Sequence, residues 1–407
     1  MTSASAHRAN PSWIESFVDL TAGTQSPEIF RRWAAVSIIA GALERKVWVK
    51  AFKRTLFANL YILLVAGPGI GKTDALRGVR EYWEEIDGLH VAPTSVSRAS
   101  LTDSLNLATR QTLNPKTGVF DKFNALQVCA EEFGTFLTQY ETEFMSTLNH
   151  LYDCISFTER KRASLKEPII IPHPYLNIIA ATTPAWLGGT LPETAWAEGF
   201  SSRLTMVFSA EKIKIDPFAE SSLDEAAKAT LLSDLDQVHQ LNGLMRFEEE
   251  FLPLFREWYM DDCPPIPDHP KLEHYLPRRH VHFMKLCMIM SAARSNEQII
   301  RVQDFYEARN LQIDTEAMMP EVFKAIKYNS DLNVIDEAYA FIWQAYSREG
   351  KAISEHRIHR FLSERAPAYA VDKILKTMVA SRIILPDGIG AGEGGTNTYR
   401  PAPKASF

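Results

Sequence analysis

Residues 59–79 read NLYILLVAGPGIGKTDALRGV. An apolar run of strand length meets a glycine-rich turn, then a Lys-Thr pair that opens a helical pattern. Few arrangements satisfy that order. The simplest is a buried strand, a tight loop whose backbone N–H groups turn inward, and a helix starting at the loop. The pattern from Ala66 to Thr73 is A-x-x-x-x-G-K-T, with Ala where Gly is commoner. Gly67, Pro68, Gly69, Ile70 and Gly71 would wrap phosphate oxygens, and Lys72 would neutralise the β- and γ-phosphates. Thr73 would offer its hydroxyl to Mg²⁺, and the helix beginning there, with Asp74 in its first turn, would add its positive end. The loop thus implies ATP and Mg²⁺ as ligands. The plainer alternative is a strand-to-helix turn with an incidental lysine.

Such a loop needs a second strand ending in acid. ALQVCAEEF (125–133) supplies one: Glu131 would hold Mg²⁺ through water and Glu132 would polarise the attacking water. The usual pattern has Asp first, so Glu131 departs from it. The alternative is two acids opening an exposed turn. A third strand, LNIIAATTPAWL, ends at Thr182 and Thr183, and Thr183 is expected to position the lytic water or sense loss of the γ-phosphate. A threonine there could equally cap the next turn. In EGFSSRLTMVF an arginine stands just before a strand, so Arg203 is expected to project from an exposed edge toward a neighbouring subunit's γ-phosphate. A surface salt bridge is the simpler reading.

Around these motifs, strand-like runs (YILLVA, LHVAP, LQVCAEE, LNIIAATT, LTMVFSA) alternate with helix-like segments from Leu60 to Phe208. This predicts an α/β fold with a mostly parallel sheet covered by helices. Residues 1–25 read as a polar tail and 26–44 as a helix with Ser26 as N-cap, leading into a 26–211 core. Residues 212–328 read as nearly all helix, with Glu248-Glu249-Glu250 on a solvated face, and 329–407 as a third unit. The chain has 407 residues, 46% hydrophobic and 23% charged, which fits a globular protein of two or three domains. No apolar run reaches the ~18 residues that span a bilayer, and the N-terminus lacks a secretory core segment. Four scattered cysteines without a CxxC pair suit a reducing cytoplasm rather than a zinc or disulfide framework. The net charge of −6 confines any nucleic-acid contact to local patches.

With NLYILLVAGPGIGKT, AEEFGTFL, LNHLYDC, PYLNIIAATTPAWL and GFSSRLTMVF in order, the chain resembles the AAA+ P-loop ATPases. More narrowly, it is similar to the replicative helicases and primase-helicases of phages, prophages and mobile elements. The resemblance runs from about Pro27 to Leu311. It implies an AAA+ core, a helical lid, ring assembly (expected as a hexamer), DNA as partner, contact with other replication proteins and, for a phage or prophage protein, the bacterial host cytoplasm. YLPRRHVHFMKLCMIMSAARSNEQIIRVQDFYEARNL is similar to the lid of replicative motors. There Arg278, or its neighbour Arg279, falls on the arginine that packs over the nucleotide, and Asp304 and Ala308 match the following segment.

Nucleic-acid contacts can also be sought in the residues themselves. ISFTERKRASLKEPIII places Arg160, Lys161, Arg162 and Lys166 at the tip between two β-prone runs, with Phe157 available for stacking. In a ring, such tips would line a channel for a phosphate backbone. The plain alternative is a solvated hairpin. A second cluster, Arg45, Lys46, Lys50, Lys53 and Arg54, would bind DNA or guard an exposed strand edge. Near the C-terminus three helix-like segments precede two short strands around a glycine-rich tip, the layout of a winged helix-turn-helix. Its third helix would carry Lys373, Lys376 and Arg382 toward DNA, although winged helices also dock proteins. The sum is a ring-forming ATPase that moves on or unwinds DNA. The alternatives are a helicase loader or a DNA-binding initiator whose ATP site controls assembly; a small-molecule kinase would have no use for the arginine, lid and C-terminal unit.

Overall fold

In the computed structural model, the described residues are 8–94, 96–113, 118–136, 142–159, 168–190, 199–216, 218, 224–267, 269–366, 368–388 and 397–402. The chain divides into two compact units, Met1–Phe323 and Lys324–Phe407. No helix among the described residues is long and apolar enough to cross a membrane.

The larger unit is α/β. Its strands are β1 (Val47–Ala51), β2 (Arg54–Phe57), β3 (Tyr61–Val65), β4 (Thr109–Leu113), β5 (Phe120–Ala130), β6 (Phe157–Glu159), β7 (Ile169–Ile171), β8 (Pro174–Thr182), β9 (Leu204–Phe208), β10 (Gly243–Leu244), β11 (Arg246–Phe247) and β12 (Ile299–Ile300). Its helices are α1 (Trp13–Leu20), α2 (Glu28–Leu43), α3 (Lys72–Glu84), α4 (Arg98–Leu107), α5 (Phe133–Phe136), α6 (Thr142–Tyr152), α7 (Pro184–Thr190), α8 (Glu225–His239), α9 (Phe251–Met260), α10 (Leu276–Arg294) and the start of α11 (Val302–Glu349). The main sheet has the order β4-β5-β8-β3-β9. Strands β5, β8, β3 and β9 are parallel, and β4 closes one edge antiparallel to β5. Every residue of β3 and β8 is buried, as mainly apolar strands covered on both faces should be; Asn177, the buried polar residue within β8, accepts the Leu60 amide. LHVAP forms only a single bridge, Val91 to Gln127, and not a strand, because Pro93 ends it.

Four sequence expectations for this unit change. Residues 13–20 are a helix and not part of a tail: Ser12 caps it, and Trp13, Ile14, Phe17 and Val18 are buried in the main core, with Trp13 and Phe17 packed on Tyr82. Pro27, not Ser26, stands at the N-cap of α2. The region after 212 is not wholly helical, since β10 pairs with β1 and β11 with β12. Glu248 sits in the turn before α9 and accepts the Val302 amide at 2.8 Å, so the acidic run is not a helix face.

The smaller unit comprises the rest of α11, β13 (Ile353–Ser354), α12 (Glu355–Ser363), α13 (Ala368–Ala380), β14 (Ile384–Gly388) and β15 (Thr398–Pro401). The strands form a sheet of order β13-β15-β14, and Ile342, Ile353, Ile358, Leu362, Ile374, Met378 and Ile384 build one core. The anticipated three helices and two strands are present, with β13 in addition, and the first helix is continuous with α11. The division falls at Lys324, and residues 212–323 belong to the same compact unit as the preceding part of the chain. The glycine-rich tip lies outside the described residues.

Candidate functional site

Strand β3 delivers the glycine-rich loop at its C-terminal end. Gly69 (φ 73°) and Gly71 (φ 62°) take left-handed backbone conformations that favour glycine. A Cβ on Gly71 would lie 2.3 Å from the carbonyl oxygen of Gln25, so the segment before α2 presses on the loop. Ile70 is buried and anchors the turn, while Pro68 and Gly69 are exposed. Gly71 stands at the N-cap of α3 and supplies no side-chain cap, which leaves first-turn N–H groups for an incoming anion. Lys72 folds back: its Nζ donates to the carbonyls of Ala66 (2.8 Å) and Gly67 (2.7 Å), and burial lowers its pKa. Thr73 is exposed in the first turn, and Asp74 lies 4.0 Å from Arg77.

The neighbouring strands bring the other candidates to the same end. Val65 pairs with Thr182, and the Ala66 amide donates to the Thr182 carbonyl at 3.3 Å. Strand β5 lies beyond β8, with Ala130 opposite Ala180, so exposed Glu131 and Glu132 emerge two strand spacings from β3, about 10 Å. The Thr strand therefore stands between the loop and the acids. Thr183 Oγ1 accepts the Trp186 amide at 3.3 Å and caps α7, the role weighed against sensing.

The arginines lie elsewhere. Leu204 pairs with Tyr61, so Arg203 sits at the N-terminal end of β3, five residues or about 16 Å from the loop. It is not an exposed edge residue. It is 9% exposed, donating to Asp153 Oδ2 (2.8 Å) and to the Gly199 carbonyl (2.8 Å). Arg278 was expected over the nucleotide of its own chain, and the structure corrects this. It opens α10 beside the same Asp153, donating to Oδ1 at 3.0 Å, because α6, the turn before β9 and the start of α10 converge there. The two guanidiniums hold the Asp153 carboxyl below its ordinary pKa against the opposing effect of burial, which is the largest single influence. Arg279 is not the alternative: it is buried in a pair with Glu316 at 2.6 Å. Asp304 binds Arg294 at 2.9 Å, and Ala308 is in the core.

Beneath this cluster Lys285 is fully buried. Its Nζ donates to Asn59 O (2.7 Å) and Oδ1 (2.9 Å) and lies 3.7 Å from the Tyr152 ring centroid. Burial lowers its pKa to about 7, against 10.5 for an ordinary lysine. Between these values the unfolded chain holds a proton that the folded chain lacks, so raising the pH stabilises the fold; below about 7 the contribution is flat. From pH 7 to 9 the gain is on the order of 2 kcal/mol. Urea unfolding of wild type and Lys285→Met at both pH values will show wild type gaining more by that margin.

Of the nucleic-acid candidates, Arg160, Lys161, Arg162 and Lys166 lie outside the described residues, but the flanking β6 and β7 do form an antiparallel pair. Phe157 is 9% exposed and turned inward, so it offers no stacking face. In the cluster around β1, β1 itself lies between β10 and β2, but β2, which Arg54 opens, is the edge strand of that sheet. Arg45 donates to the carbonyls of Cys154 and Pro174, and Lys46 faces the fully buried Glu44 at 3.4 Å; only Lys50, Lys53 and Arg54 are exposed. On α13, Lys373 and Lys376 are exposed together while Val371, Ile374, Leu375 and Met378 are buried. Arg382 lies past the helix end at φ 54°, not within it. Asp153 lies within LNHLYDC but carries no assigned role there, and the Gln25–Ser26 contact is not anticipated; the partners of both are distant in sequence.

Comparison with protein-family models finds no match, and neither does comparison with curated proteins.

Proposed function

We propose that the chain is an AAA+-type P-loop ATPase that assembles as a ring, a hexamer on this reading, and translocates on or unwinds DNA in phage or mobile-element replication. One observation carries the reading: loop, Thr strand and acid strand meet at one end of the sheet, and two arginines at the other. The first three would bind and hydrolyse a nucleotide, and arginines so far from it serve only a neighbouring copy.

The residues fit ATP and Mg²⁺: the open glycine cradle and uncapped α3 suit the phosphates, and exposed Thr73 and Glu131 are oxygen donors of the kind Mg²⁺ takes. When bound, the nucleotide supplies the phosphoanhydride and the metal neutralises its charge. Lys72 trades its loop carbonyls for β- and γ-phosphate oxygens. Glu132 accepts a proton from the water that attacks the γ-phosphorus, while the bond to the β-phosphate breaks to leave ADP and phosphate. The Thr183 hydroxyl, whose oxygen accepts the Trp186 amide, would still have its own proton to donate to that water. Arg203 of the adjacent copy stabilises charge on the transferring group. ATP turnover measured with and without single-stranded DNA tests the reading: stimulation supports it, and no turnover in either condition contradicts it. Strand displacement by the protein alone separates a helicase from a loader.

In the smaller unit, three helices and a three-stranded sheet, with two lysines three residues apart on one exposed face, support a winged helix that contacts DNA. Lys373→Ala with Lys376→Ala should weaken duplex binding about tenfold at moderate salt and reduce the salt dependence by about two counterions. Filter binding across a salt series checks both.

A further inference from the structure

We infer that Asp153 is a positioning residue that sets Arg203 and Arg278 as a paired cation for the terminal phosphates of a nucleoside triphosphate held by a second copy of this chain. Arg278 then acts between subunits and not over its own loop. The inference rests on the ATPase reading above.

Three features of the cluster carry it. First, one carboxylate serves two guanidiniums: Oδ2 takes Arg203 Nη2 at 2.8 Å and Oδ1 takes Arg278 Nη1 at 3.0 Å, leaving one positive charge uncompensated within the group. Exposed Arg54 adds to that charge, and buried Lys285 adds the charge of its protonated form. His280 and His282 are kept neutral, their pKa values lowered by burial to about 4 and about 3. Second, Arg203 has a buried Nε–H with no hydrogen-bond partner among the described residues, although the residue is nine-tenths buried. A buried donor left unpaired is destabilising unless an acceptor arrives. Third, the group remains reachable, with about a quarter of the Arg278 and Asp153 side chains exposed. An oxyanion meets both the charge and the orphan donor. Its source cannot be the chain's own loop, because the whole length of β3 intervenes.

The arrangement also couples two layers. Arg203 belongs to the turn that leads into β9 and Arg278 to helix α10, so one carboxylate fixes the spacing of the prongs. Removing it should leave nucleotide binding on the chain's own loop intact and lower kcat rather than raise KM.

The test is complementation in full-length protein. Lys72→Ala keeps both arginines but loses the loop, whereas Arg278→Ala keeps the loop but loses one prong. Each alone should hydrolyse ATP at a few per cent of the wild-type rate or less. In an equimolar mixture about one quarter of randomly formed junctions pair an intact loop with an intact arginine, and activity should rise toward that fraction. A mixture no more active than its parents overturns the inference. So does Arg278→Ala weakening the chain's own ATP affinity by more than about tenfold. Arg278→Gln serves if the alanine variant fails to fold. Asp153→Asn should lower kcat about tenfold or more with KM nearly unchanged, and Asp153→Glu should restore part of it; a purely structural ion pair would lower the melting temperature and spare kcat in the folded fraction. If Lys72→Ala binds ATP like wild type, the ATPase reading itself fails; if it loses ATP but the mixture stays silent, only the inference between subunits does.

Discussion

Lys72→Ala will lose ATP binding. In the protein the ammonium is already partly desolvated against two loop carbonyls, which lowers its pKa and raises its value as a phosphate partner. Exchanging carbonyl oxygens for charged phosphate oxygens gains charge-assisted hydrogen bonds worth about 1.5–3 kcal/mol each. Two such bonds place the expected loss near 3 kcal/mol or above, roughly a hundredfold or more in Kd. Titration with a fluorescent ATP analogue measures it. Affinity within about threefold of wild type would show that the loop does not grip phosphate through this lysine.

Arg203→Ala will behave differently. It should bind ATP as wild type does, because Arg203 lies the length of β3 from the loop of its own chain. Hydrolysis should fall about 10³-fold or more, the scale on which an arginine supplied between subunits acts in phosphoryl transfer. The fold should survive, since Asp153 retains Arg278 at 3.0 Å and is not left as an uncompensated charge. Steady-state turnover beside equilibrium binding separates the two effects. A monomeric Arg203→Ala protein that hydrolyses ATP at the wild-type rate would remove the residue from catalysis.

The parts of this site that could be read along the chain are those built from contiguous residues. The glycine-rich loop is one: the apolar run, the glycines and the helix start occur in order, and the strand, left-handed glycines and uncapped helix follow locally. The acid and Thr strands were also legible, because a strand buried on both faces shows as a mainly apolar run, here interrupted by buried Gln127 and Asn177. What failed depends on distant partners. Arg45 and Lys46 look like surface charge, yet Glu44, Cys154 and Pro174 draw them inward. Helix α1 is eight residues long after a polar start, so its four buried side chains gave too short a period to separate from a tail. Arg278 was matched to a lid position by local sequence, but Asp153, more than a hundred residues earlier, decides where its guanidinium rests. Ion pairs across such separations leave no spacing to read.

The central claim is that catalysis requires two copies of the chain, one supplying the loop and the other the arginines. The most direct measurement is the ATPase rate per chain across a dilution series, with particle mass determined in ATP at each concentration. The rate per chain should fall as the assembly comes apart, in step with the loss of mass. A rate per chain that stays constant down to concentrations where every particle has the mass of a single chain would contradict it.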